Sequence, residues 1–74
     1  MNKQEAIEAL NNGEQLTHTI FTKGEWIIKI GENIVDEEGY LSRSDLFWSD
    51  REEECWNEGW SIVGNIKGAN LINL

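Results

Sequence analysis

Proline is absent from this chain of 74 residues, and cysteine and histidine occur once each. Lack of proline excludes a Pro-rich linker, and 7 scattered glycines exclude a collagen-like repeat. The lone Cys55 makes neither an intrachain disulfide nor a cysteine-only zinc site. A reducing compartment, the cytoplasm, is therefore expected. No apolar run approaches the roughly 20 residues of a membrane helix, and the polar start is unlike a signal sequence. Bases are scarce, with 6 Lys and Arg against 14 Asp and Glu. Domains that hold DNA or RNA present basic patches to the phosphates, so direct nucleic-acid binding is not expected. Neither G-x-G-x-x-G nor G-x-x-x-x-G-K-S/T occurs, which removes the common phosphate-cradling loops.

What is present is enough for one small domain with a thin core, burying roughly 60–65% of the unfolded chain's surface. Apolar residues make up 39% and charged residues 27%, a globular rather than a disordered balance. The charge is unevenly placed. Residues 32–58 hold ten acids, among them Asp36, Glu37, Glu38, Asp50, Glu52, Glu53, Glu54 and Glu58, against two bases, Arg43 and Arg51. That window carries the entire net charge of −8; the remaining acids and bases balance. The chain reads as a neutral frame bearing one acidic segment. Such a segment serves either as a solubilising face or as a surface complementary to a basic partner. A calcium loop alternates its acids, whereas Asp36-Glu37-Glu38-Gly39 has them in a row, and no metal site is assigned.

Along the chain, residues 2–11 read as a helix with Asn2 as cap and Glu5 closing a capping box. Ala6, Ile7 and Leu10 form its apolar stripe, and Gly13 suits the left-handed position that ends it. Residues 15–22 read as a strand with Leu16, His18 and Ile20 on one face. Residues 25–30 read as the strongest strand, with Trp26, Ile28 and Ile30 together and Trp26 in the core. Ile34-Val35 begins a third strand, and Asp36 to Gly39 turns the chain. Residues 40–58 show no clean period. They fit an acidic loop or a short helix through Leu46, Phe47 and Trp48, capped by Ser42 or Ser44, with a second capping box at Ser49 and Glu52. A last strand follows at Trp60–Val63. The expected fold is α+β: an N-terminal helix on an antiparallel sheet of three to four strands, forming one domain over residues 1–63. Residues 64–74 read as a tail or an edge strand.

Catalytic chemistry is thinly represented. A Cys–His pair is a known nucleophilic arrangement, but Glu52, Glu53 and Glu54 precede Cys55 and work against a thiolate. A chain this short has little room for a deep pocket that tunes a carboxylate. The chain is therefore read as a non-enzyme without a cofactor. Four tryptophans in so short a chain are the second unusual feature. Trp48, Trp56 and Trp60 surround the acidic segment. Either they tuck beneath it, or they anchor a partner as indoles do at interface hot spots. The candidate partner-binding set is Asp36, Glu37, Glu38, Trp48, Asp50, Glu52, Glu53, Glu54, Trp56 and Glu58. The alternative, a ring stacked on indole with its phosphate on a guanidinium, uses Arg43, Arg51, Trp48 and Trp56.

Two short motifs carry a family resemblance. The stretch from Glu5 to Leu16, with Glu5-Ala6, Ala9-Leu10 and Gly13, is similar to an E-A-L-x-x-G-x-x-V opening. Gly59-Trp60-Ser61-Ile62-Val63 is similar to a D-W-x-I-V ending. Together they resemble a superfamily of small phage proteins that includes Thoeris anti-defence proteins and an anti-CRISPR. The resemblance implies a helix on an antiparallel sheet, often a homo-oligomer, and a counter-defence role in the cytoplasm of an infected bacterium. Some relatives sequester nucleotide-derived signals and others bind an effector protein. His18, Thr19, Ile20 and Phe21 stand where those relatives carry a basic residue and a Trp, so no ligand-binding residue is carried over. The expected function is inhibition of a host defence protein, whose basic surface meets the acidic segment. A nucleotide sponge and a phage structural or assembly module are the alternatives.

Overall fold

The computed structural model describes residues 1–63; the expected tail or edge strand at 64–74 lies outside the described residues. Helix α1 (Lys3–Asn11) opens the chain. Its capping box forms as expected: Asn2 Oδ1 accepts the Glu5 N–H at 2.8 Å, and Glu5 Oε1 accepts the Asn2 N–H at 2.9 Å. Ala6 and Leu10 are its buried residues. Gly13, at φ +85°, turns the chain out of the helix. Asn2→Ala removes one partner of the first turn's free N–H groups and is expected to cost about 1 kcal/mol. Urea unfolding followed by circular dichroism measures it, and an unchanged midpoint would show that the cap contributes nothing.

Five antiparallel strands follow: β1 (Leu16–His18), β2 (Ile27–Ile30), β3 (Asn33–Asp36), β4 (Leu41–Arg43) and β5 (Trp60–Ile62). Their spatial order is β4-β3-β2-β1-β5. The last strand thus pairs with the first, with Leu16 opposite Ile62 and His18 opposite Trp60. Between β4 and β5 lie helix α2 (Ser44–Ser49) and a single 3₁₀ turn, Glu54–Asn57. The fold is the expected α+β arrangement. It has one strand more than the sequence reading counted, because β4 forms inside the stretch that showed no period. The Asp36 carboxylate accepts the Glu38 and Tyr40 N–H groups, each at 3.0 Å, and folds the chain back so that Leu41 faces Val35.

The expected serine caps do not form. Helix α2 begins after Arg43 and the 3₁₀ turn after Glu53, neither with a side-chain cap. The Ser44 N–H donates to the Glu32 carbonyl instead, so a contact from the β2–β3 turn satisfies what a serine hydroxyl would have. The strand expected over 15–22 ends at His18 for a similar reason. Phe21 N–H bonds the His18 carbonyl and Ile20 N–H bonds the His18 ring, which folds residues 18–21 into a turn and leaves Ile20 exposed.

Residues directly opposite in a sheet share a face. Leu16 opposes Ile27, Lys29 opposes Ile34 and His18 opposes Trp60. Helix α1 contacts β1, β2 and β5, and α2 contacts β3 and β4. The core is Ala6, Leu10, Leu16, Ile27, Ile34, Phe47 and Trp60. Strand β2 therefore buries Ile27, at 2% exposure, and not the Trp26, Ile28, Ile30 face. Ile30 is 57% exposed and Trp26 only half-buried. Alternation favoured the three apolar residues over Ile27 and Lys29; the register that pairs Ile27 with Leu16 beneath the helices overrode it. Among the described residues, no helix is long and apolar enough to cross a membrane.

Candidate functional site

Register collects much of the acidic segment at one end of the sheet. Asp36 opposes Ile27 at the start of β2, and Glu37 Oε1 accepts the Trp26 N–H at 3.3 Å. The Thr17 hydroxyl donates to the Glu25 carbonyl, which places the end of β1 beside the same corner. Helix α2 starts near Glu32 and runs back until Asp50 and Arg51 line a cleft together with Glu25 and Asp36. From there the chain continues past exposed Glu52, Glu53 and Glu54 to Glu58, whose carbonyl meets the His18 ring. Asp36, Glu37, Glu38, Asp50, Glu52, Glu53, Glu54 and Glu58 thus belong to one end of the domain. Glu25, counted by sequence with the neutral frame, joins them. Asp45 sits with Arg43 at the other end, where their side chains pair at 3.0 Å.

Beneath this end lies an aromatic cluster. Trp60 is the hub, with ring centroids 4.6 Å from His18, 5.3 Å from Trp48, 5.8 Å from Phe21 and 5.8 Å from Trp56. Its indole N–H donates to the Trp56 carbonyl at 2.7 Å, satisfying the one polar atom of a buried ring. Of the two placements open for Trp48 and Trp56, the structure takes the inner one. Both are half-buried against the core and hold the acidic segment to the sheet.

His18 is 4% exposed, and its two ring nitrogens have separate partners. Nδ1 accepts the Ile20 N–H at 3.0 Å, so Nε2 carries the proton and donates to the Glu58 carbonyl at 2.6 Å. The ring therefore ties the β1 turn to the end of the acidic loop. Cys55 is exposed beside the glutamates. Among the described residues, no three His, Cys, Asp or Glu side chains converge as a metal site requires.

Arg51 has a role that sequence reasoning missed. Its guanidinium lies 3.8 Å from the Phe47 ring centroid and 5.0 Å from that of Trp56, and Nη1 donates to the Phe47 carbonyl at 3.1 Å. It clips the 3₁₀ turn to α2 by cation–π stacking. Burial pushes its pKa below the usual value, against Asp50 and Glu25, which raise it; an arginine remains cationic throughout. Its Nε is buried without a hydrogen-bond partner among the described residues. Arg43 is far along α2 from this clip and engaged with Asp45, so the set Arg43, Arg51, Trp48 and Trp56 is not brought together.

The cleft between α2 and the sheet has a volume of about 210 Å³. Phe21, Ile27, Ile34 and Phe47 supply its apolar lining, and Glu25, Asp36 and Asp50 its carboxylates. Tyr40, Leu41 and Leu46 also line it and are 70%, 66% and 56% exposed. Comparison with protein-family models, curated proteins and solved structures gives no match.

Proposed function

We propose that this chain is a non-enzymatic, phage-encoded inhibitor of a bacterial defence system that binds a basic surface of a host protein. The binding surface is the acidic end built by Asp36, Glu37, Glu38, Asp50, Glu52, Glu53, Glu54 and Glu58. The observation that supports it is the convergence of the β3–β4 turn and residues 50–58 at one end of the sheet, over a frame that is otherwise neutral. Clustered carboxylates speed encounter with a basic partner and set its orientation. Trp48 and Trp56 are half-buried, so they stiffen this surface and leave only part of each side chain for a partner. The partner's buried apolar contact then falls to other side chains. A nucleotide sponge is less well supported, since phosphate would approach carboxylates and Arg43 stands apart from Arg51.

Replacing Glu52, Glu53 and Glu54 together by lysine tests the reading. All three are exposed, so the fold should survive by circular dichroism. Capture of the partner from bacterial lysate should fail in the variant. In the unaltered chain, capture should weaken steeply as the Debye length shrinks from about 10 Å at 0.1 M salt to about 3 Å at 1 M. Inhibition unchanged by the triple reversal would sink the proposal.

A further inference from the structure

The cleft under α2 adds a specific feature to that charged end, and the following rests on the function proposed above. Ligand pockets for drug-sized molecules have roughly 300–1,000 Å³. At about 210 Å³ this one is too small for a nucleotide and suits a single side chain. Its lining is apolar where Ile27, Ile34 and Phe47 meet and anionic where Glu25, Asp36 and Asp50 stand. Three carboxylates against the one Arg51 guanidinium leave the mouth negative. Asp36 uses Oδ1 for its turn, and Oδ2 has no hydrogen bond among the described residues. An apolar stem with a cationic head matches this division, since long basic side chains lay their methylenes on apolar surface and keep the charge at the edge.

The mouth carries an independent sign of a partner. Of six large apolar side chains exposed on the described surface, Tyr40 and Leu46 flank this cleft on the face of Ile34. Exposed apolar groups gathered around a polar recess mark a contact surface. Tyr40 also offers an exposed ring, and two or more carboxylates suit a planar, forked donor better than a point charge. We propose that the cleft receives one arginine side chain of the basic partner, with Tyr40 and Leu46 flanking it.

The test uses the full chain and three probes, the acetylated methylamides of arginine, lysine and citrulline, followed by amide shifts in two-dimensional NMR. The arginine probe is expected to move the resonances of Ile27, Ile34, Phe47, Asp50 and Arg51 saturably. Citrulline has a similar shape without the charge and should bind about tenfold more weakly. Ser42→Phe places a ring in the cleft from the exposed strand β4 while leaving every carboxylate, and should abolish these shifts. Asp50→Asn, a milder change at an exposed residue, should weaken them a few-fold. Ser42→Phe should still retain polyarginine, whose binding spreads over the whole acidic end. Shifts confined to residues 52–54, or undiminished in both variants, would overturn the pocket while leaving charge-driven binding intact. Equal affinity for the lysine probe would overturn the choice of arginine. Failure of the unaltered chain to retain polyarginine would remove the charge-driven reading, and the pocket with it.

Discussion

Trp60→Ala is expected to bring the domain to the edge of unfolding. The ring is 2% exposed, contacts four other aromatic rings and donates its N–H to a neighbouring carbonyl. Truncating a buried Trp to Ala costs about 3–5 kcal/mol. A chain of 74 residues has a total stability of about 4–11 kcal/mol. The loss therefore takes a large share of what the fold has. The Trp56 carbonyl also loses its donor. Urea unfolding read by circular dichroism, which does not depend on the deleted fluorophore, should show a collapsed midpoint at an unchanged slope. Trp60→Phe keeps an aromatic ring and loses the N–H, so its cost should be well below that of alanine. Trp26→Ala, on the sheet face without a helix, should also cost much less. Equal losses at Trp60 and Trp26 would contradict the assignment of the core to the helix side.

Gly59→Ala is the second substitution with a large expected effect, although it adds one methyl group. Gly59 has φ +96°, a conformation side chains disfavour by about 1–2 kcal/mol. A Cβ there would stand 2.8 Å from Thr19 Oγ1 and 3.0 Å from His18 Nε2. The His18 ring has little freedom to yield, because Ile20 N–H and the Glu58 carbonyl hold it from two sides. Overpacking of this kind adds about 1–3 kcal/mol. Gly39 has a similar φ of +87° with open space around its Cβ position. Gly39→Ala should therefore show the backbone cost alone, and Gly59→Ala clearly more. Thr19→Ala in the Gly59→Ala background should recover part of the difference, since Thr19 is exposed and contributes the nearest atom. If the two glycine variants lose the same stability, the β1 turn yields and His18 is not the brace described here.

Much of the architecture was legible because local chemistry wrote it. Asn2 and Glu5 stand at capping-box spacing, and Ala6 and Leu10 at helical spacing, and both signals act within a few residues. The clustering of carboxylates over residues 32–58 could likewise be counted directly. The face of β2 was misjudged because Trp26, Ile28 and Ile30 alternate more convincingly than Ile27 with Lys29, and only the pairing of Ile27 with Leu16 overrides that pattern. The serine caps failed because the Glu32 carbonyl, twelve residues before Ser44, took the N–H first. Arg51 looked like a free donor for a ligand, yet its place between Phe47 and Trp56 comes from two segments folding together. A signal for the cluster was present in His18, two residues after Leu16 on the same face, but not its partners.

By itself the sequence determined the α+β class, the leading helix, and a charge imbalance confined to one stretch, since each depends on neighbours in the chain or on composition. The tertiary structure alone decided which sheet face is buried and that Glu25 joins the acids of two separate loops. It also decided that the indoles point inward and that a cleft opens between α2 and the sheet. These depend on strand register and helix placement, which bring together residues from Glu25 to Glu58. A single slipped pair in that register would turn every strand side chain to the opposite face.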